Sequence, residues 1–184
     1  MAEEYDPIES VLDTAMEYAR ERSHEYVVLE HLLLALTNEK EIQSLIKDVD
    51  GDIDQVMVDC MEYLDSQLKD IVIESTDAPR KTSALERVFN RAVTQVIFSG
   101  RKKLTIKDIF VSLLSEKNSH ALYFLKKNKV TRQAVIEQLT KERYGEDVGL
   151  QERQQGGGEG GGVRFEDYCT AVSYTHLTLP TTDR

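Results

Sequence analysis

The chain has 184 residues, 40% hydrophobic and 30% charged, without Trp and with a net charge of −10. That length holds one domain plus a tail, with core enough to need no disulfide staples. Two Cys, Cys60 and Cys169, cannot make a disulfide framework and fit a reduced, intracellular setting, and the acidic start Met1-Ala2-Glu3-Glu4 is not a secretory leader.

The longest aliphatic run, Leu32 to Leu36, is far below the roughly 18 residues of a membrane span. Charge is uneven along the chain. Residues 1–78 hold 21 acidic and 5 basic groups, residues 79–147 hold 7 and 15, and residues 148–184 hold 5 and 3. The acidic first block and the basic second block are expected to attract each other within one domain.

In chain order, Asp6-Pro7-Ile8-Glu9 opens a first helix, with Asp6 as N-cap, Pro7 at the first helical position and Glu9 closing a capping box. Its buried stripe is Val11, Leu12, Ala15, Tyr18 and Ala19. A second, almost wholly apolar helix spans Leu29 to Thr37, and Val28 before it has no side chain able to cap, so its free N–H groups need another partner. A third helix runs around Glu41 to Lys47. Gly51 marks a turn, and Asp52-x-x-Gln55 caps a fourth helix through Val56, Met57, Cys60, Met61 and Leu64.

Ile71 to Thr82 reads as a surface linker with a short β-prone run, Ile71-Val72-Ile73. Beyond it Ser83-x-x-Glu86 is a capping box for a helix that Gly100 ends. Thr105 caps Ile106 to Leu114, Asn118 or Ser119 caps Leu122 to Lys127, and Thr131 caps a last helix through Val135, Ile136 and Leu139. From Tyr144 the apolar pattern stops, and the glycines of 145–162 read as a flexible tether.

The plan is a repeat. Val11, Ala15 and Ala19 align with Val88, Ala92 and Val96, and Leu32, Leu33 and Leu36 with Ile109, Phe110 and Leu113, all at an offset of 77. Continued through Glu39-Lys40 with Glu116-Lys117, Leu45 with Leu122 and Ile53 with Val130, the alignment predicts a duplicated four-helix unit with no insertion over about 45 positions. The expected fold class is therefore all-α, two four-helix repeats (about 5–70 and 83–143) followed by a flexible tail.

Catalytic signatures are missing. No Gly-x-x-x-x-Gly-Lys-Ser/Thr loop occurs, and serines have no paired His and acid at a recognisable spacing. His24-Glu25 and Glu30-His31 lack His-Glu-x-x-His spacing, so an exposed His24 and a packed His31 are expected in place of a metal site or a small hydrolase centre. Cys60 lies on an apolar stripe and reads as core. Arg101, Lys102, Lys103, Lys107, Lys126, Lys127, Lys129 and Arg132 raise nucleic-acid binding as an alternative, but aromatic interleaving is poor and a solvated face is the better reading.

His24-Glu25-Tyr26-Val27-Val28-Leu29-Glu30-His31-Leu32-Leu33-Leu34-Ala35-Leu36, Ser99-Gly100-Arg101 and Leu113-Leu114-Ser115-Glu116 resemble the duplicated N-terminal domain of Clp ATPases. The Ala35-Leu36 pair suits the ClpA type better than ClpB or ClpC, which usually carry Gly-Leu there, and the resemblance covers residues 5–143. It implies an eight-helix, pseudo-twofold docking domain, 1–145, without catalysis or cofactor of its own. The parent protein would be a cytoplasmic hexameric unfoldase using ATP and Mg and feeding the ClpP peptidase. The implied partners are a ClpS-like adaptor and protein substrates, with the adaptor surface carried over as Glu25, Glu30 and Thr82; no membrane or nucleic acid is implied, and the piece is expected to be monomeric.

Val163 to Val172, with Phe165-Glu166-Asp167-Tyr168, is similar to the segment that opens the first ATPase module of that family, after a glycine linker over 146–162. Ser173 to Arg184 does not continue it and reads as translated adapter sequence, which would make the chain a truncated piece.

Overall fold

The computed structural model describes residues 7–75 and 77–153. Helix α1 (Pro7–Glu21) buries Val11, Ala15 and Ala19 of the expected stripe, with Leu12 and Tyr18 half-buried against the core, while the expected N-cap Asp6 and the segments 154–162, 163–172 and 173–184 lie outside the described residues. Next come β1 (Tyr26–Val27), α2 (Leu29–Thr37), α3 (Lys40–Asp48) and α4 (Ile53–Ser66). After a 3₁₀ turn (Lys69–Ile71), β2 (Arg80–Lys81) leads into α5 (Ser83–Phe98), α6 (Ile106–Leu113), α7 (His120–Lys127) and α8 (Arg132–Arg153). Helix α2 is buried along its whole length, so it forms the centre against which α1, α4, α6 and α7 pack.

Helices α2 and α3 have no side-chain cap bond at their N-caps, Val28 and Glu39; the other described caps follow local chemistry, with a shift of one residue on α5. Thr105 and Asp108 form a reciprocal box on α6, Ser119 accepts from Leu122 N–H on α7, and Thr131 accepts from Ala134 N–H on α8. On α5 the cap is Thr82, not Ser83: Thr82 Oγ1 accepts Leu85 N–H at 3.2 Å and donates to the Val27 carbonyl at 3.1 Å. A tertiary contact thus chose between two adjacent hydroxyl residues. Helix α8 continues through Gly145 to Arg153, so the helix runs into the stretch read as a tether from its glycines.

Duplication is visible in backbone geometry. Ser23 (φ 55°) and Gly100 (φ 69°) are the left-handed residues after α1 and α5, and they stand at the expected offset of 77. The left-handed residues after α3 and α7, Asp50 (φ 59°) and Lys129 (φ 68°), stand at 79 instead. Matching bonds agree: Gly51 N–H donates to Ile46 O and Val130 N–H to Leu125 O, both at 2.8 Å. The uninterrupted alignment is therefore corrected. Two residues are inserted between Glu116 and α7, and Leu45 and Ile53 do not pair with Leu122 and Val130.

In the corrected register Gly51 is the counterpart of Val130, and the two touch. A Cβ on Gly51 would stand 2.5 Å from Val130 Cγ2. Equivalent positions in mutual contact lie at the pseudo-twofold axis, as residues at the centre of an isologous interface do. Around it α2 packs on α6, and the α3–α8 contact is matched by α7–α4. Gly51 is thus required for close approach, while the left-handed residue of that turn is Asp50.

Polar groups were placed less well by pattern. Met61 points outward, whereas Asp59 is buried and accepts bonds from Gln55 Nε2 (2.9 Å) and Asn128 Nδ2 (3.1 Å), tying the two copies together. Burial alone would raise the Asp59 pKa, but those bonds and Lys127 hold it below its ordinary value. Buried Glu116 takes both Arg87 (2.8 and 2.9 Å) and Arg91 (2.7 Å).

Candidate docking edge

The linker is exposed over most of its described residues, as expected, but it is tied down by backbone bonds near both ends. Glu25 N–H donates to Ile71 O (2.7 Å), Ile73 N–H to Ser23 O (2.8 Å) and Arg80 N–H to Glu25 O (2.8 Å), and Pro79 is buried. Val72 bridges His24 antiparallel, then β2 pairs with β1 in parallel, Tyr26 opposite Arg80 and Val27 opposite Lys81. The reason is backbone accounting: the extended stretch after α1 has unpaired N–H and C=O groups, and the returning chain satisfies them.

This ribbon carries Glu25, one residue before β1, and Thr82, one residue after β2, on the same edge, Thr82 reaching Val27 across 55 positions of sequence. Glu25 is half-buried beside exposed Arg80 and Lys81. Thr82 is fixed by both bonds of its hydroxyl, so it sets the position of the edge and of the α5 N-terminus.

Glu30 is elsewhere. It is 5% exposed and turned into the interface between copies, where Oε1 accepts Ala121 N–H at 3.1 Å and caps the start of α7. Burial raises its pKa, opposed by backbone bonds including that from Ala121. Of the three residues carried over from the resemblance, the fold therefore gathers two on one edge and places the third inside.

His24 departs from expectation as well: it is buried, at 4% exposure, not exposed. Its Nδ1 lies 2.9 Å from His31 Nε2, and His31 Nδ1 accepts Val28 N–H at 2.9 Å. This imidazole meets the N–H of Val28 itself, whereas no side chain at Val28 caps the first turn of α2. Burial lowers both pKa values, His31 to about 3, with His24 and Arg22 adding to the shift at His31. The sequence signal was available at the offset of 77, where His24 and His31 match Arg101 and Asp108.

Among the described residues no group of three or more His, Cys, Asp or Glu gathers as a metal cluster. Cys60 is fully buried, and burial, then the charges of Glu30 and Asp59, push its thiol pKa up, which makes it unreactive. In the basic block Arg101 pairs with Asp108, Lys107 with Glu142 and Lys127 with Asp59, so part of the positive charge is spent within the fold. None of the described helices is long and apolar enough to cross a membrane.

Fold and edge together define a duplicated α-helical domain, two four-helix units around a pseudo-twofold axis, with the connecting segment stitched into a surface ribbon. The family model of the Clp repeat (R) N-terminal domain matches residues 6–128, more than half of the chain, and the chain belongs to that family. It is similar to a ClpA homolog protein of Fuscovulum blasticum, 33% identical over 127 residues; that match covers 68% of this chain and only 16% of the relative. Among solved structures it resembles the Hsp104 N-terminal domain from Candida albicans at 15% identity and a TM-score of 0.65, covering 75% of this chain and 89% of that one. The ClpV N-domain, solved in complex with a VipB peptide, matches at 20% identity and a TM-score of 0.51, covering 67% of this chain and 76% of that one. These likenesses share the fold.

Proposed function

We propose that this chain is the docking module of a ClpA-type ATPase, and that it receives a ClpS-like adaptor and protein substrates on the edge formed by Glu25 and Thr82. The juxtaposition of those two residues by the β1–β2 ribbon carries the reading. A half-buried Glu25 whose backbone is bonded on both sides, to Ile71 and Arg80, gives a partner a charged contact on an ordered edge. Membership of the Clp repeat family and the peptide held by the ClpV N-domain support it. In this reading Glu30 acts from within, by fixing α7 against α2, and does not touch the adaptor. The parent is a cytoplasmic hexamer whose ATPase modules unfold the captured protein and pass it to a ClpP-like peptidase; the head contributes local concentration, not chemistry.

Calorimetric titration of the chain with a ClpS-like adaptor tests this. Saturable binding that Glu25→Lys weakens at least about tenfold is expected, since a buried-edge charge reversal replaces attraction with repulsion. Absence of binding, or equal binding by Glu25→Lys, overturns the assignment of the edge.

A further inference from the structure

Comparison of the two copies isolates a surface that the fold itself does not require. On the outer face of the last turns of α5, Val93, Ile97 and Phe98 are 43%, 69% and 60% exposed. Their counterparts at the offset of 77 are Met16, Arg20 and Glu21 on α1, a face on which Arg20 forms an ion pair with Glu17. One backbone plan thus carries a charged outer face in the first copy and an apolar one in the second. Ile97 and Phe98 are each surrounded by water at a place where the duplicated unit is content with Arg and Glu, so the core does not demand them. Such a patch marks contact with something else.

Charge says what kind of partner. The loop directly after this turn carries Lys102 and Lys103, both exposed and in no ion pair among the described residues, whereas Arg101 beside them is held by Asp108. Their counterparts are Glu25 and Tyr26, so Lys102 stands where the first copy has a carboxylate and Lys103 where it has a neutral ring. The geometry points to a second docking surface, Val93, Ile97 and Phe98 with Lys102 and Lys103, that takes an acidic peptide segment bearing bulky apolar side chains. The apolar side chains fill the face of α5, and the carboxylates meet the two ammonium groups at its rim. A second copy packed face to face on this patch is disfavoured because it would bring the same uncompensated Lys102 and Lys103 to the contact. A nucleic acid backbone would leave Ile97 and Phe98 unused. The surface is separate from the β1–β2 edge and does not depend on its role.

The probe is a fluorescein-labelled peptide of alternating Glu with Phe and Leu, titrated into the 184-residue chain and followed by anisotropy. Saturable binding is expected, weakened at least about tenfold by the Ile97→Gln/Phe98→Ser double variant, whose exposed positions leave the core intact. A Lys102→Glu/Lys103→Glu variant should lose the acidic peptide and take up its Lys-containing analogue, and added salt should weaken the wild-type complex. Unchanged thermal melting of both variants shows that they remain folded. No saturable binding, or binding indifferent to both double variants, overturns the proposal. So does a concentration-dependent dimer in sedimentation that Ile97→Gln/Phe98→Ser abolishes, since that gives the face to a second copy.

Discussion

His24 and His31 meet through Nδ1 and Nε2 at 2.9 Å, in the positions that Arg101 and Asp108 occupy in the second copy. In both copies the residue at the third position of the second helix accepts the N–H of the residue before that helix, Val28 to His31 Nδ1 and Thr105 to Asp108 Oδ2, each at 2.9 Å. The same latch is thus built twice, once from neutral rings and once from an ion pair. The Val28 donor fixes the tautomers: His31 Nδ1 must carry a lone pair, so its proton sits on Nε2 and is donated to His24 Nδ1.

Protonating either ring at Nδ1 breaks that line. Arg22 faces both rings and opposes charge, and Asp65, bonded to Arg22 at 2.7 Å, offsets this in part at His24. Both folded pKa values lie below the unfolded one, so this contribution to stability is complete above about pH 6.5 and is lost as pH falls, His31 reaching its folded value near 3. Thermal melts of the wild type should therefore drop between about pH 7 and pH 5. His31→Asp keeps an acceptor for Val28 N–H but gives His24 a carboxylate partner. Its folded pKa then rises, the gain is complete below about pH 6.5, and the slope of stability with pH is smaller or reversed. Identical pH profiles for wild type and variant would remove the latch from consideration.

Glu30 separates structural from contact roles. Its raised pKa means that the charged form is penalised in the fold, so its contribution is present below the ordinary carboxylate pKa and is lost as pH rises through the folded value. Glu30→Gln keeps an oxygen for Ala121 N–H and removes the penalty, and urea unfolding at neutral pH should show equal or higher stability. Glu30→Ala strands the Ala121 donor and should cost about 1–3 kcal/mol. Adaptor affinity, measured beside Glu25→Lys, should be unchanged in Glu30→Gln; a loss there would return Glu30 to the contact surface.

Gly51 tests the axis. Gly51→Ala would set its Cβ 2.5 Å from Val130 Cγ2 and 2.8 Å from Ile46 Cγ2, and the overpacking should cost about 1–3 kcal/mol. Because Val130 belongs to the other copy, Val130→Ala should relieve part of that strain. A double variant less destabilised than the sum of the singles is the expected result of the cycle, and strict additivity would contradict the contact.

The sequence by itself determined the helices, their order and the duplication, because apolar spacing and capping side chains act over three or four residues, a distance within which neighbours in sequence are neighbours in space. Val11, Ala15, Ala19 and Thr105 were legible for that reason, and motif resemblance singled out Glu25 and Thr82. Only the tertiary structure decided what these residues do. It set Thr82 over Ser83 as the α5 cap through Val27, pressed the linker into a ribbon, and turned Glu30 inward to Ala121. It also joined His24 to His31 and moved the repeat register from 77 to 79 beyond Glu116. Each of these follows from the need to satisfy buried polar groups with partners remote in the chain, which a local pattern does not record.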